Sequence, residues 1–228
     1  LDRYGGLSFW LSLDEGDSNL REFMAHLVTD LQSQFPDQFK DVWDLLLSKE
    51  QRPASVLSAR LLNEMFELTR PCTIVLDDYH HLQNDSAVHD VLEAIMQHPP
   101  PTVHFILITR RDPALRLIRY RAANQLLEVR ENDLHFNNIE TSQLICNVTG
   151  KTPSEKALLN LEKQFEGWAV GLRLTAVALK GTENPDAFIN SLRGGTPYTQ
   201  EYLLSEVISR LDPGTRNVLL KSSLLDRF

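Results

Sequence analysis

Cys72-Thr73-Ile74-Val75-Leu76-Asp77-Asp78 is the stretch that decides the fold class. A continuous apolar run rich in β-branched residues suits a strand buried on both faces of a parallel sheet, where no position faces water. Two acids close the run. Upstream, Leu7-Ser8-Phe9-Trp10-Leu11-Ser12-Leu13 is a second short apolar segment and meets Asp14-Glu15-Gly16-Asp17. It reads as another buried strand ending in a polar turn. Downstream, Val103-His104-Phe105-Ile106-Leu107-Ile108 is a third buried strand, ending in Thr109-Arg110-Arg111-Asp112-Pro113. Leu126-Leu127-Glu128-Val129 reads as a fourth. Helical spacing fills the intervals. Leu20, Phe23, Met24, Leu27, Val28 and Leu31 mark a helix from Asn19 to Phe35, closed by Pro36. Further helices are predicted around 42–47, over 55–69, over 85–97 and over 114–121. Strands alternating with helices predict a parallel sheet, so residues 1–135 read as α/β.

Beyond residue 135 only helices are predicted, each with a start signal. Asn137 and Glu140 stand three apart, as in a capping box. Thr152-Pro153-Ser154-Glu155 reads as a cap at Thr152 with Pro at the first helical position. Asn184-Pro185 and Asp212-Pro213 repeat that device, and Gly194-Gly195 breaks the chain before the last helices. The organisation expected is therefore an α/β part followed by an all-α part.

The chain has 228 residues, 42% of them hydrophobic and 24% charged, which suits a globular protein with a substantial core. Its 23 basic against 31 acidic residues give a net charge of −8, a poor match to a nucleic-acid-binding surface. No apolar run approaches the roughly 18 residues of a membrane span, and no signal-peptide pattern opens the chain. A cytoplasmic location is expected. The first residue is Leu1 rather than Met, so further residues are expected upstream. Cys72 and Cys146 are the only cysteines, which excludes a disulfide framework or a cysteine-rich zinc site.

In an open α/β sheet, ligands bind beyond the carboxyl ends of the strands. Three of the four predicted strands end in charged residues: Asp14-Glu15, Asp77-Asp78 and Arg110-Arg111. Thr73-Ile74-Val75-Leu76-Asp77-Asp78 has the form of a Walker B strand. Its first carboxylate suits magnesium, a hard cation that takes oxygen ligands, and its second can orient an attacking water. Such strand ends also occur without function. Arg110 could read a terminal phosphate or pair with Asp112 at the surface, and Arg111 is expected to face solvent. His80 and His81 resemble a metal pair, but adjacent residues past a strand are expected to diverge. No Gly-x-Ser-x-Gly elbow occurs, which argues against a serine hydrolase. No Gly-x-x-x-x-Gly-Lys-[Ser/Thr] occurs either, so no Walker A loop lies within these residues. Gly5-Gly6 is not followed by a lysine, and Gly194-Gly195-Thr196 belongs to the helical part.

Several segments, in order, resemble the signal-transduction (STAND-class) P-loop ATPases of the large LuxR type. They are Phe9 to Asp17, Ile74-Val75-Leu76-Asp77-Asp78-Tyr79-His80, Thr109-Arg110-Arg111-Asp112-Pro113 and Asp133-Leu134-His135-Phe136. They continue with Glu166-Gly167-Trp168-Ala169-Val170-Gly171-Leu172, Tyr202 to Val207 and Leu224 to Phe228. The resemblance implies a P-loop NTPase-like core over 1–135 lacking its first strand and phosphate loop. A helical domain over 136–197 and the start of a winged-helix domain over 198–228 would follow. It implies that Asp77 holds Mg2+, that Asp78 is the catalytic acid and that Arg110 senses the terminal phosphate. Gly167, Trp168 and Gly171 would form a turn on the nucleotide side; the alternative for Trp168 is a core anchor between helices. ATP or ADP with Mg2+ would be the cofactor set of the intact parent, the phosphate loop lying just upstream of 7–13. This chain alone is then expected to bind ATP weakly. The implied role is a nucleotide-dependent switch, with slow hydrolysis, in a transcriptional regulator. Implied partners are further copies of the ATPase module, a small-molecule or protein inducer, and DNA through a domain absent here. A competing reading, motivated by the lack of a phosphate loop, is a degenerate scaffold that binds no nucleotide and acts through protein interactions. A motor fragment of the helicase or AAA kind is disfavoured by Glu166-Gly167-Trp168. The implied strand order is 5-1-4-3-2, with 8–13, 73–77, 103–108 and 126–129 as strands 2, 3, 4 and 5. Strands 2, 3 and 4 should lie parallel in that order, with either a one-strand gap or a collapsed pairing between 4 and 5.

Overall fold

A computed structural model describes residues 6–48, 50, 52–192 and 195–222. Gly5, Gly194 and the Leu224–Phe228 segment lie outside the described residues. The chain divides into two compact units, Leu1–Leu126 and Leu127–Phe228.

The first unit is built on three parallel strands in the order β1-β2-β3: β1 Leu7–Ser12, β2 Cys72–Asp77 and β3 Val103–Leu107. This is the predicted adjacency of 8–13, 73–77 and 103–108. The register pairs Leu11 with Leu76 and Leu76 with Leu107, so the three strands finish together. Helices α1 Leu20–Gln34, α2 Lys40–Leu47 and α3 Ala54–Phe66 connect β1 to β2, and α4 Ala87–Gln97 connects β2 to β3. Each buries an apolar stripe. Phe23, Met24, Leu27 and Leu31 of α1, Leu61 and Met65 of α3, and Val88, Leu92 and Ile95 of α4 share one core with Phe9, Leu11, Ile74 and Leu76. Asn19 caps α1 through Oδ1, which accepts from Arg21 N at 2.9 Å. The short α5, Leu117–Ala122, follows β3.

Two expectations for the sheet fail. Only β2 is buried along its length. β1 alternates buried and exposed residues, because Phe9 and Leu11 face the helices while Trp10 points the other way, and in β3 Val103 alone is fully buried. Trp10 (54% exposed), Ile106 (40%) and Ile108 (41%) lie on that other face, and Val75, buried at 1%, stands in register between Trp10 and Ile106. The second failure is the fourth strand. Residues 126–129 form no ladder with any described residue, so there is no fifth strand to stand across a one-strand gap from β3 or to pair with it. Leu127 is 90% and Val129 61% exposed. A strand is a property of a pair, and β-propensity without a partner does not fold one.

The second unit is helical throughout its described elements: α6 Glu131–Leu134, α7 Asn138–Thr149, α8 Glu155–Phe165, α9 Ala169–Ala178, α10 Pro185–Ser191, α11 Pro197–Tyr202 and α12 Pro213–Ser222. Its core gathers Ile145, Ala157, Leu161, Phe165, Leu172, Ala176, Leu179 and Ile189. The capping box at α7 is present: Asn137 Oδ1 accepts from Ile139 N and Glu140 N, and Glu140 accepts from Asn137 N. Asn184 caps α10, and Asp212 accepts from Gly214 N and Thr215 N at the head of α12. At α8 the cap is Ser154, not Thr152. Its Oγ accepts from Ala157 N at 3.3 Å, and its own N–H is tied to Asp186 Oδ1 at 3.0 Å. Pro153 is buried ahead of the cap, which fixes the helix start one residue pair later than its sequence position suggests.

Candidate functional site

The carboxyl edge of the sheet collects the charged residues that the sequence singled out. Ladder bonds run past the last strand residues: Leu13 N donates to Asp77 O, Ile108 N to Leu76 O, and Tyr79 N to Ile108 O, all at 2.9–3.0 Å. Asp77 is the last residue of β2 and Asp78 the first beyond it. Arg110 follows β3 at the same edge, exposed to solvent. Asp77, Asp78 and Arg110 are thus brought to one end of one sheet.

The backbone reverses sharply here. Asp78 is left-handed, φ 53° and ψ 34°, and its N–H donates to Asp77 Oδ1 at 2.9 Å. Asp and Asn are the non-glycine residues that tolerate this region best. A single 3-10 turn, Tyr79–His81, follows. Tyr79 anchors it: the ring is buried, and the hydroxyl lies 2.6 Å from His89 Nδ1, whose Nε2 contacts Gln83 O at 2.9 Å. Burial, with the Glu93 charge, pushes the Tyr79 phenol well above its ordinary value.

One expectation about this turn holds and one is corrected. Arg111 is exposed to solvent, as expected, and it also binds the turn. Its guanidinium donates to the carbonyls of His80 at 2.8 Å and Leu82 at 3.3 Å and clamps the turn from the end of β3. His80 and His81, by contrast, do not diverge: their ring centroids lie 4.4 Å apart at 31°. His80 Nδ1 is 3.8 Å from Asp78 Oδ1. That nitrogen is buried without a hydrogen bond, a state that costs about 1–3 kcal/mol. Burial, then the charges of His81 and Arg110, hold the His80 imidazole below its ordinary value against the pull of Asp78.

Sequence reasoning also missed the structure beyond β1. Asp14 Oδ1 accepts from Gly16 N, and the buried Asp17 returns a bond from Asp14 N at 2.9 Å. Asp17 Oδ1 lies 2.9 Å from His26 Nδ1. A cleft of about 290 Å³ beside β1 is lined by Trp10, Leu13, Asp17, His26 and Asp30 among others. Asp17 to His26 is nine residues across a loop–helix boundary, a spacing that carries no sequence signal.

Gly167, Trp168 and Gly171 belong to the second unit, where each has a packing reason. Gly167 sits at φ +79°; a β-carbon would meet Phe136 O at 2.7 Å, and its carbonyl accepts from Phe136 N at 2.9 Å. Gly171 faces the rings of Phe165 and Trp168, both 2.5 Å from a notional β-carbon. Trp168 caps α9, packs on the helical core and meets Tyr202 at 6.0 Å between centroids, contacts that suit an anchor between helices and leave its place in the turn unchanged.

No protein-family model matches the chain. It is similar to the HTH-type transcriptional regulator MalT, the maltose-regulon activator, of Klebsiella pneumoniae: 31% identical over 221 residues, 95% of this chain, in strains ATCC 700721 / MGH 78578 and 342. The MalT protein of Cronobacter sakazakii is likewise 31% identical over 222 residues. The chain spans about a quarter (24%) of the length of these curated relatives.

Proposed function

We propose that the chain is the nucleotide-dependent switch segment of a LuxR-type transcriptional regulator. One observation carries the reading: similarity to MalT regulators runs through 95% of the chain, including the strand that delivers Asp77 and Asp78 to the sheet's carboxyl edge. In this reading residues 1–135 are an incomplete P-loop NTPase-like core, 136–197 a helical domain and 198–228 the start of a winged-helix domain. Asp77 holds Mg2+ and Asp78 orients or deprotonates the attacking water. Both are carboxylates at a strand end, the donor set that a hard cation takes. Arg110 senses the terminal phosphate, with five fixed donors suited to that anion. Gly167, Trp168 and Gly171 form the turn on the adenine side. ATP holds the switch in its associating state, and slow hydrolysis resets it. Location in the cytoplasm, an inducer and DNA contact through a separate domain follow from the same reading. Among the described residues no helix is long and apolar enough to cross a membrane.

Phosphate-cradling amides and a lysine supply much of the grip in P-loop proteins. The test compares ATP affinity, with Mg2+, of the 228-residue chain and of the full-length gene product. The reading predicts weak binding by the chain and at least tenfold tighter binding by the full-length protein. Micromolar binding by the chain alone, or none by the full-length protein, overturns it; the second outcome favours a scaffold that acts through protein contacts.

A further inference from the structure

We propose that Asp78, His80 and His81 form a binding site for a zinc-class transition-metal ion. One ligand atom from each lies within 4.8 Å of the others, and the three residues fall within four consecutive positions. In a tetrahedral zinc site, ligand atoms about 2.0–2.2 Å from the ion lie roughly 3.3–3.5 Å from one another. The 3.8 Å between His80 Nδ1 and Asp78 Oδ1 is within half an ångström of that spacing. A small rotation of the half-exposed Asp78 carboxylate closes the difference.

Three features beyond proximity support the site. His80 Nδ1 is buried without a hydrogen-bond partner and lies 3.8 Å from Asp78 Oδ1. The turn carrying all three residues is fixed before any ion arrives: Tyr79 is bonded to Ile108 O and to His89, and Arg111 grips the carbonyls of His80 and Leu82. Rigid backbone is what a small metal site needs from its support. The donor chemistry also selects the ion. Two imidazoles and one carboxylate suit zinc, nickel or copper, whereas magnesium and calcium take oxygen donors. The site is therefore distinct from a magnesium role for Asp77. Arg110 and Arg111 oppose a cation here, and the Asp78 carboxylate offsets part of their charge. Three protein donors leave a fourth position for water.

On the nucleotide reading, zinc would occupy the carboxylate proposed to orient water and would slow turnover. That consequence rests on that reading; the binding itself does not.

The test is a calorimetric titration of the 228-residue chain with Zn2+ alone, no nucleotide present, with Co2+ absorption as a second probe. Expected are one equivalent of Zn2+ per chain and the visible bands of four-coordinate cobalt. His81→Ala changes an exposed residue and should weaken binding at least about tenfold, the scale seen even for outer-shell losses. Asp78→Asn should do the same and abolish the cobalt bands, while His104→Gln, on β3, should leave both unchanged. No stoichiometric zinc binding overturns the site. So does binding that His81→Ala and Asp78→Asn leave intact, or that His104→Gln removes.

Discussion

Gly167 and Gly150 both hold left-handed backbone, at φ +79° and +72°, but in different surroundings. A β-carbon at Gly150 meets nothing within 4 Å, so Gly150→Ala carries only the left-handed penalty, about 1–2 kcal/mol. At Gly167 the same methyl strikes Phe136 backbone and breaks the hydrogen bond between the two residues. Gly167→Ala should therefore destabilise the second unit by at least about 1–3 kcal/mol more than Gly150→Ala. Urea unfolding of the pair of variants checks the difference. Cys72 gives a second prediction. Burial pushes its thiol up from 9.0 to about 11. A raised folded value means the stabilisation is complete below the unfolded value and is lost as pH rises through the folded one. Stability of the first unit should fall between pH 9 and 11, and Cys72→Ala should flatten that part of the profile. The raised Tyr79 phenol adds a loss in the same direction at higher pH. At this scale the acids were legible and the turn was not. Asp77 and Asp78 announce themselves because an unbroken apolar run makes two charges conspicuous. The meeting of His80 with His81, and the clamp by Arg111, depend on the left-handed Asp78 and on Tyr79 packing, which no local pattern encodes.

The same contrast recurs among elements. β1, β2 and β3 were legible as short apolar segments with polar ends, and their parallel order followed from the helices between them. Which strand is buried on both faces was not legible, since Leu7–Leu13 and Val103–Ile108 are nearly as apolar as Cys72–Leu76. The two sheet faces make this testable. Ile74→Ala removes a fully buried side chain facing the helices and should cost about 2–5 kcal/mol. Ile106→Thr, on the more open face, should cost less than half as much in the same melt. Helix starts can be tested in the same way. Ser154→Ala loses the bond to Ala157 N and should cost about 1 kcal/mol, while Thr152→Ala should be close to neutral. A larger cost at Thr152 would restore the cap read from sequence. Residues 126–129 show the limit: Leu-Leu-Glu-Val has strand composition, but pairing depends on a partner that the segment itself does not specify.

For the whole chain, 31 acidic against 23 basic residues make a poor nucleic-acid surface, which the proposed reading requires of this segment. The account stands or falls on the carboxylate pair at the end of β2. Asp78→Asn is a clean probe because asparagine tolerates the left-handed backbone at that position, so the turn survives. Asp77→Asn keeps an oxygen to accept from Asp78 N but removes the charge that would hold Mg2+. The decisive measurement is single-turnover ATP hydrolysis by the full-length gene product and these two variants, across a Mg2+ titration. The account predicts slow hydrolysis by the parent, a loss of about a hundredfold or more in Asp78→Asn with ATP still bound, and a shift of the Mg2+ requirement to higher concentration in Asp77→Asn. Hydrolysis at the parent's rate and Mg2+ dependence in both variants would contradict it.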